Sequence, residues 1–141
     1  MLNIQIETDP TLEGLDHNKS VDIITYIMQS ERIESCDISI IFGNKKLLQE
    51  LKNRFFNIDN TTDVIAFRLN DYQKKDIEGE IYICLSVAKE NAEYYKVPYQ
   101  KEIARLIIHG GLHLMGYQDG TKSKRQEMQK LEDKYLEELK Y

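Results

Sequence analysis

The chain has 141 residues, with 19 Lys and Arg against 24 Asp and Glu for a net charge of −5, a mass of 16.6 kDa and a pI near 5.3. That is the size of one globular domain, and a chain of this length buries roughly two-thirds of its unfolded surface, enough for a core without disulfides or structural metal. The longest apolar runs are too short to span a bilayer, and the acidic balance weighs against a protein that coats nucleic acid by phosphate neutralisation, while leaving room for an enzyme that holds a short piece of RNA. Met1 to Gln5 carries no basic flank followed by a long apolar stretch, so a cytoplasmic protein with no membrane partner is expected. Cys36 and Cys84 stand apart with no C-x-x-C spacing and read as small buried hydrophobes.

Alternation in Leu2-Asn3-Ile4-Gln5-Ile6 predicts a first strand, and Val21, Ile24 and Met28 at helical spacing predict a helix from about Asn18 to Glu34. Asp37 to Phe42 reads as a strand ended by Gly43-Asn44, and Lys45 to Phe56 as a short amphipathic helix. Asp63 to Phe67 and Gly79 to Leu85 read as strands, and the polar connection between them, with Asn70, Asp71, Lys74, Lys75 and Asp76, is expected to be the flexible loop. Ser86 is placed to cap a helix reaching Lys96, and Pro98 marks the break before the next element. Gln100 to Met115 forms a largely buried helix, and Thr121 to Tyr141 a final one with Met128, Leu131, Tyr135 and Leu139 on a single stripe. Lys122, Lys124 and Arg125 at its start are balanced by later acids and read as part of a solvated face. No repeat or linker interrupts this order, so residues 1–141 are expected to form one α+β domain with a mixed sheet of about four strands.

His109 and His113 stand four residues apart in the buried helix, so both imidazoles project from one face and can reach a common ion. Gly110 and Gly111 between them each cost about 1 kcal/mol relative to Ala in a helix interior, which implies that backbone or substrate comes close. Gly116 offers a left-handed stop, and the polar turn after it brings Asp119 back toward the histidines. His109, His113 and Asp119 are therefore the candidate metal ligands, in the three-ligand pattern that leaves a catalytic ion one open position. A zincin protease needs Glu directly after the first histidine as general base, and that position is Gly110. His17 is expected in a polar N-terminal loop and is assigned no role, and Ser86 has no histidine at a readable distance to activate it as a nucleophile.

The run His109-Gly110-Gly111-Leu112-His113-Leu114-Met115-Gly116-Tyr117 resembles the signature of the YbeY family, H-G-x-L-H-L-x-G-Y-D-H. Thr62-Asp63-Val64-Ile65-Ala66-Phe67 resembles the family's T-D-V-L-S-F, Gly79-Glu80-Ile81 its G-D-I, and Met128 with Glu132 its M-x-x-x-E. The resemblance implies a zincin-like metal-hydrolase fold with helices on both faces of the sheet, and a single-strand-specific endoribonuclease that uses one divalent metal, usually zinc. Its implied partners are ribosomal RNA, above all the 3′ end of the small-subunit RNA, and ribosome-associated proteins, in maturation and quality control; DNA is not among them.

Two positions depart from the family pattern. Asp119 falls where the family has its third histidine, a harder donor set that moves metal preference toward Mn or Fe. Phe56 falls where the family has an Arg suited to phosphate contact, leaving Lys52, Arg54 and Arg105 as candidate phosphate contacts. Asp63 and Arg54 are the candidate catalytic groups beyond the metal ligands, Asp63 as an orienter of a histidine or water, and Phe55, Phe56 and Tyr117 could stack unpaired bases. Two further readings stay open: a ribosome-assembly factor whose metal holds structure, and a hydrolase of a small ester.

Overall fold

The computed structural model describes residues 1–57 and 62–141. Its elements run β1 (Leu2–Thr8), α1 (His17–Ser30), β2 (Cys36–Gly43), α2 (Lys45–Phe56), β3 (Val64–Arg68), β4 (Ile77–Cys84), α3 (Leu85–Tyr95), α4 (Tyr99–Leu114) and α5 (Lys122–Glu138). The four strands form one mixed sheet in the order β1-β2-β4-β3, with β1-β2 and β2-β4 parallel and β3 antiparallel to β4. The expected α+β class is therefore what the chain adopts.

The strands alternate, and that alternation decides what covers each face. Ile38 and Ile40 of β2 and Ile77, Ile81 and Ile83 of β4 are buried with Ile23, Ile24, Ile27 and Met28 of α1 and Ile103, Leu106 and Ile107 of α4. The opposite face exposes Asn3, Gln5, Asp37 and Glu78, and only its β3 end is covered, by Leu48 of α2 over Ile65 and Cys84. Helices thus lie on both faces, but unequally. Each fully buried Ile or Leu contributes roughly 1.5–3 kcal/mol, so the helical face carries most of the stability.

Local chemistry starts and stops the helices. Asp16 Oδ1 accepts from the Lys19 amide at 3.2 Å to cap α1, Asn44 Oδ1 from Leu47 at 2.9 Å to cap α2, and Thr121 Oγ1 from Lys124 at 3.1 Å to cap α5. Three expectations need correction. Ser86 does not cap α3: Cys84 holds the N-cap position, and the Ser86 hydroxyl lies inside the first turn, 3.4 Å from Cys84 Sγ. His17 opens α1, with Nε2 3.0 Å from Thr8 Oγ1, and is not in a loop.

The third correction concerns the connection between β3 and β4, which is a turn built on one guanidinium. Arg68 donates from Nε to Asn70 Oδ1 at 2.6 Å, and from its terminal nitrogens to the carbonyls of Leu114 at 2.7 Å, Asp71 at 2.9 Å and Lys74 at 3.1 Å. Asn70 Nδ2 donates to the Asp76 carbonyl at 2.8 Å, closing the turn. Among the described residues, no helix is long and apolar enough to cross a membrane.

Candidate metal centre

α4 carries both histidines, and its two glycines explain how it lies so close to the sheet. A Cβ on Gly110 would stand 2.6 Å from Ile81 Cγ2 of β4, and one on Gly111 2.5 Å from Ile27 Cδ1 of α1. The helix-propensity cost is offset by close packing against these side chains, rather than by an approaching backbone or substrate. The glycines face the core, and the histidines that flank them in sequence face outward toward a cleft.

The helix ends in a Schellman motif. The Gly116 amide donates to the His113 carbonyl at 3.0 Å and the Tyr117 amide to Leu112 at 3.1 Å, with Gly116 at φ +106°, a conformation that favours glycine. This reversal brings the Tyr117 carbonyl to His113 Nδ1 at 2.9 Å and carries Asp119 back over the helix face. Arg125 of α5 holds the returning loop, donating to the Asp119 carbonyl at 3.3 Å.

Three donor atoms converge. His109 Nε2 and His113 Nε2 are 3.0 Å apart, and Asp119 Oδ2 lies 3.3 Å from the second and 3.5 Å from the first. Ligands about 2.0–2.1 Å from one tetrahedral ion stand about 3.3 Å from each other, so these separations are those of a shared ion's coordination edges. The tautomers agree. A carbonyl can only accept, so His113 carries its proton on Nδ1, and the Glu132 carboxylate 2.8 Å from His109 Nδ1 does the same for the other ring. Both Nε2 lone pairs and a carboxylate oxygen then face one another, an arrangement that repels unless a cation or proton sits among them. The residues present fit a divalent metal.

Glu132 was legible only as a match to the family pattern, with no role attached. It is 3% exposed on α5, and its other oxygen accepts from Arg105 at 3.1 Å. Arg105 in turn grips the buried Glu102 at 2.6 and 2.9 Å. Asn91 of α3 donates to Glu102 at 3.2 Å and to Asp63 Oδ2 at 3.1 Å. A continuous polar chain thus runs from Asp63 through Asn91, Glu102, Arg105 and Glu132 to His109. Burial pushes the Arg105 guanidinium toward the neutral form, but Glu102 and Glu132 more than reverse this and hold it firmly charged. Burial likewise opposes a charge on His109, and the hydrogen bond to Glu132, with Asp119 and Asp63 nearby, outweighs it and raises that pKa.

The cleft beside the histidines has a volume of about 430 Å³ and is walled by Tyr95, Arg105, His109, Asp119, Met128 and Leu136 among others. Of the candidate phosphate contacts, Arg105 lines this cleft, whereas Lys52 and Arg54 do not. Arg54 is exposed in the last turn of α2, and Lys52 lies over the Phe56 ring at 5.7 Å. Phe55 and Phe56 pack on Phe67 of β3 at 5.2 and 5.9 Å between ring centres, on the face of the sheet away from α4. The Tyr117 hydroxyl donates to Glu31 Oε1 at 2.6 Å, and the Tyr135 hydroxyl donates to the other oxygen of the same carboxylate. None of these rings lines the histidine cleft.

Comparison with known proteins gives the family. Residues 5–140 match the family model described as endoribonuclease YbeY. The chain is 37% identical over 110 residues to the endoribonuclease YbeY of Chlorobium limicola, covering 78% of this chain and 75% of that protein. It is 34% identical over 137 residues to that of Flavobacterium psychrophilum, covering 96% and 94%. The solution structure of TM1509 from Thermotoga maritima superposes with a TM-score of 0.64 at 28% identity, over 99% of this chain and 89% of that one. Matched over almost its whole length, the chain belongs to the YbeY family.

Proposed function

We propose that this protein is a metal-dependent, single-strand-specific endoribonuclease of ribosomal RNA maturation, acting at the 3′ end of the small-subunit RNA and in ribosome quality control. The observation that carries the reading is the convergence of His109 Nε2, His113 Nε2 and Asp119 Oδ2 within 3.5 Å of one another. Family membership supplies the substrate class, since the matching relatives bear the name endoribonuclease. A cytoplasmic location and ribosome-associated partners follow from the same reading.

A divalent metal held by these three side chains supplies Lewis acidity toward a phosphodiester oxygen and toward water. The chain's own residues do the rest. Glu132 and the Tyr117 carbonyl hold the two imidazoles in the tautomer that presents Nε2, so little reorganisation is needed when the ion binds. Arg105 places a permanently charged guanidinium on the cleft wall, where a phosphate oxygen would gain from it, and its pairing with Glu102 and Glu132 holds the fork rigid. Met128 and Leu136 add apolar surface to a cleft that is otherwise lined largely by charged and polar groups.

The test is cleavage of a synthetic RNA that carries an unpaired stretch, beside the same sequence in a duplex. Metal-loaded protein should cut the unpaired RNA only, with activity abolished by a chelator and by His113→Ala. Binding of the RNA without cleavage by fully metal-loaded protein would favour the assembly-factor reading; turnover of small esters that RNA does not inhibit would favour a small-molecule hydrolase.

A further inference from the structure

A second cleft, distinct from the one beside the histidines, opens at the C-terminal end of the histidine helix, against Met115. Its volume is about 690 Å³, and its walls carry Arg32, Arg68, Lys74 and Lys75 against only Glu34 and Asp76. A local excess of positive charge in a chain of net charge −5 is the electrostatic footprint of an anionic ligand. Among the described residues, the side chains of Arg32, Lys74 and Lys75 are exposed and form no ion pair.

Two features fix the backbone that carries these cations. Lys74, Lys75 and Tyr72 stand on the turn that Arg68 organises through its bonds to Leu114, Asp71 and Lys74. Arg32 occupies the left-handed position that ends α1, at φ +62°, where its amide meets the Gln29 carbonyl at 3.1 Å and the Ile33 amide meets Met28 at 2.8 Å. Glycine or asparagine is the usual residue at such a position, and an arginine there retains a strained backbone together with a side chain aimed at the cleft.

Tyr72 adds a flat surface. Its ring is 58% exposed, lies over the Arg68 guanidinium at 5.0 Å, and stands 3.7 Å from where a Cβ on Gly116 would be. Gly116 precedes Tyr117, whose carbonyl orients His113, so the cleft adjoins the support of one metal-site ligand. Phosphate-binding cations beside an exposed aromatic face are the two elements that unpaired nucleic acid needs: charge for its backbone and a platform for a base.

We infer that this cleft binds the unpaired RNA strand outside the cleavage site, with Lys74, Lys75 and Arg32 on phosphates and Tyr72 under a base. The inference rests on the RNA reading of the metal centre. It is tested by fluorescence anisotropy of the metal-free full chain with a labelled oligouridylate across a salt series. Lys74→Ala/Lys75→Ala should weaken binding severalfold at low ionic strength and reduce the slope of log K against log salt by about 1.4, or about 0.7 per lost contact. Tyr72→Ala should weaken it at least about fivefold, the contribution of one stacked base, and Tyr72→Phe should restore it. Metal content of the same three variants, measured on protein not stripped of metal, should equal that of the unaltered chain. A matched change of net charge elsewhere, Lys19→Ala/Lys46→Ala, should leave affinity as it was.

Unchanged affinity and slope in the cleft variants, or an equal loss in the Lys19/Lys46 control, would overturn the inference while leaving the RNA reading intact. Preserved RNA binding with loss of polyglutamate binding would assign the cleft to an acidic protein surface, and so also overturn it. Failure of the unaltered protein to bind oligouridylate would remove the RNA reading itself.

Discussion

Nδ1 of His109 on α4 and Oε2 of Glu132 on α5 are 2.8 Å apart, a hydrogen bond between residues 23 positions distant in sequence. The carboxylate is buried, and its second oxygen is tied to Arg105. Glu132 therefore fixes the ring of one metal-site histidine, and the polar chain behind it fixes Glu132.

Glu132→Gln keeps the shape of this side chain but removes the charge that keeps the His109 proton on Nδ1. Metal affinity should fall by about 10- to 100-fold while the far-ultraviolet circular dichroism stays that of the unaltered protein. Competition with a chromogenic chelator measures this directly. An unchanged dissociation constant would mean that His109 needs no such support.

Asp119→His installs an imidazole at the position where the family signature that the histidine run resembles ends in His. An imidazole is softer than a carboxylate, so the variant should gain preference for zinc over manganese, whereas the natural chain discriminates between them less. Parallel titrations with the two metals give the ratio. Equal ratios in the two proteins would show that Asp119 does not set metal choice.

Gly110→Ala should destabilise the fold more than Gly111→Ala. The new methyl would meet Ile81 Cγ2 at 2.6 Å, an atom fixed directly on a β-branched strand residue, whereas Gly111 would meet the terminal Cδ1 of Ile27 at 2.5 Å, which can swing aside. Overpacking costs about 1–3 kcal/mol and the helix gains about 1 kcal/mol from Ala, so Gly110→Ala, at the upper end of that cost because the strand atom cannot swing aside, should lose about 2 kcal/mol in urea unfolding. Ile27→Val, which removes Cδ1, should relieve Gly111→Ala and leave Gly110→Ala unaffected.

Tyr117 should resist ionisation. The hydrogen bond to Glu31, with burial and the charge of Glu31 adding to it, raises this phenol from its ordinary 10.0 to about 12. Because the folded value lies above the unfolded one, the stabilisation is complete below pH 10 and is lost as pH rises through about 12. Absorbance titration near 295 nm should show a late-ionising tyrosine, and Glu31→Gln should shift it toward the ordinary range. A phenol that titrates normally in the folded protein would contradict this.

Much of the geometry of the candidate metal centre was legible because it is local. His109, His113, Gly116 and Asp119 lie within 11 residues, so helical periodicity and a left-handed stop suffice to bring them together. The helix predicted over residues 100–115 is observed as Tyr99–Leu114. What stayed hidden is long-range. Glu132 reaches His109 from another helix, Glu31 accepts from Tyr117 and Tyr135 across the core, and β4 inserts between β2 and β3. No spacing rule encodes such pairings. The turn after β3 misled for another reason. Its polar composition reads as mobile, but a guanidinium that donates to several backbone carbonyls orders a loop without leaving a periodic signal.

The central claim is that His109, His113 and Asp119 hold one metal ion. Elemental analysis of protein purified without affinity-tag histidines tests it most directly, comparing the natural chain with His113→Ala and Asp119→Ala. Near-stoichiometric metal in the natural chain, lost in both variants, is the predicted result; metal absent from the natural chain, or retained in full by Asp119→Ala, would contradict it.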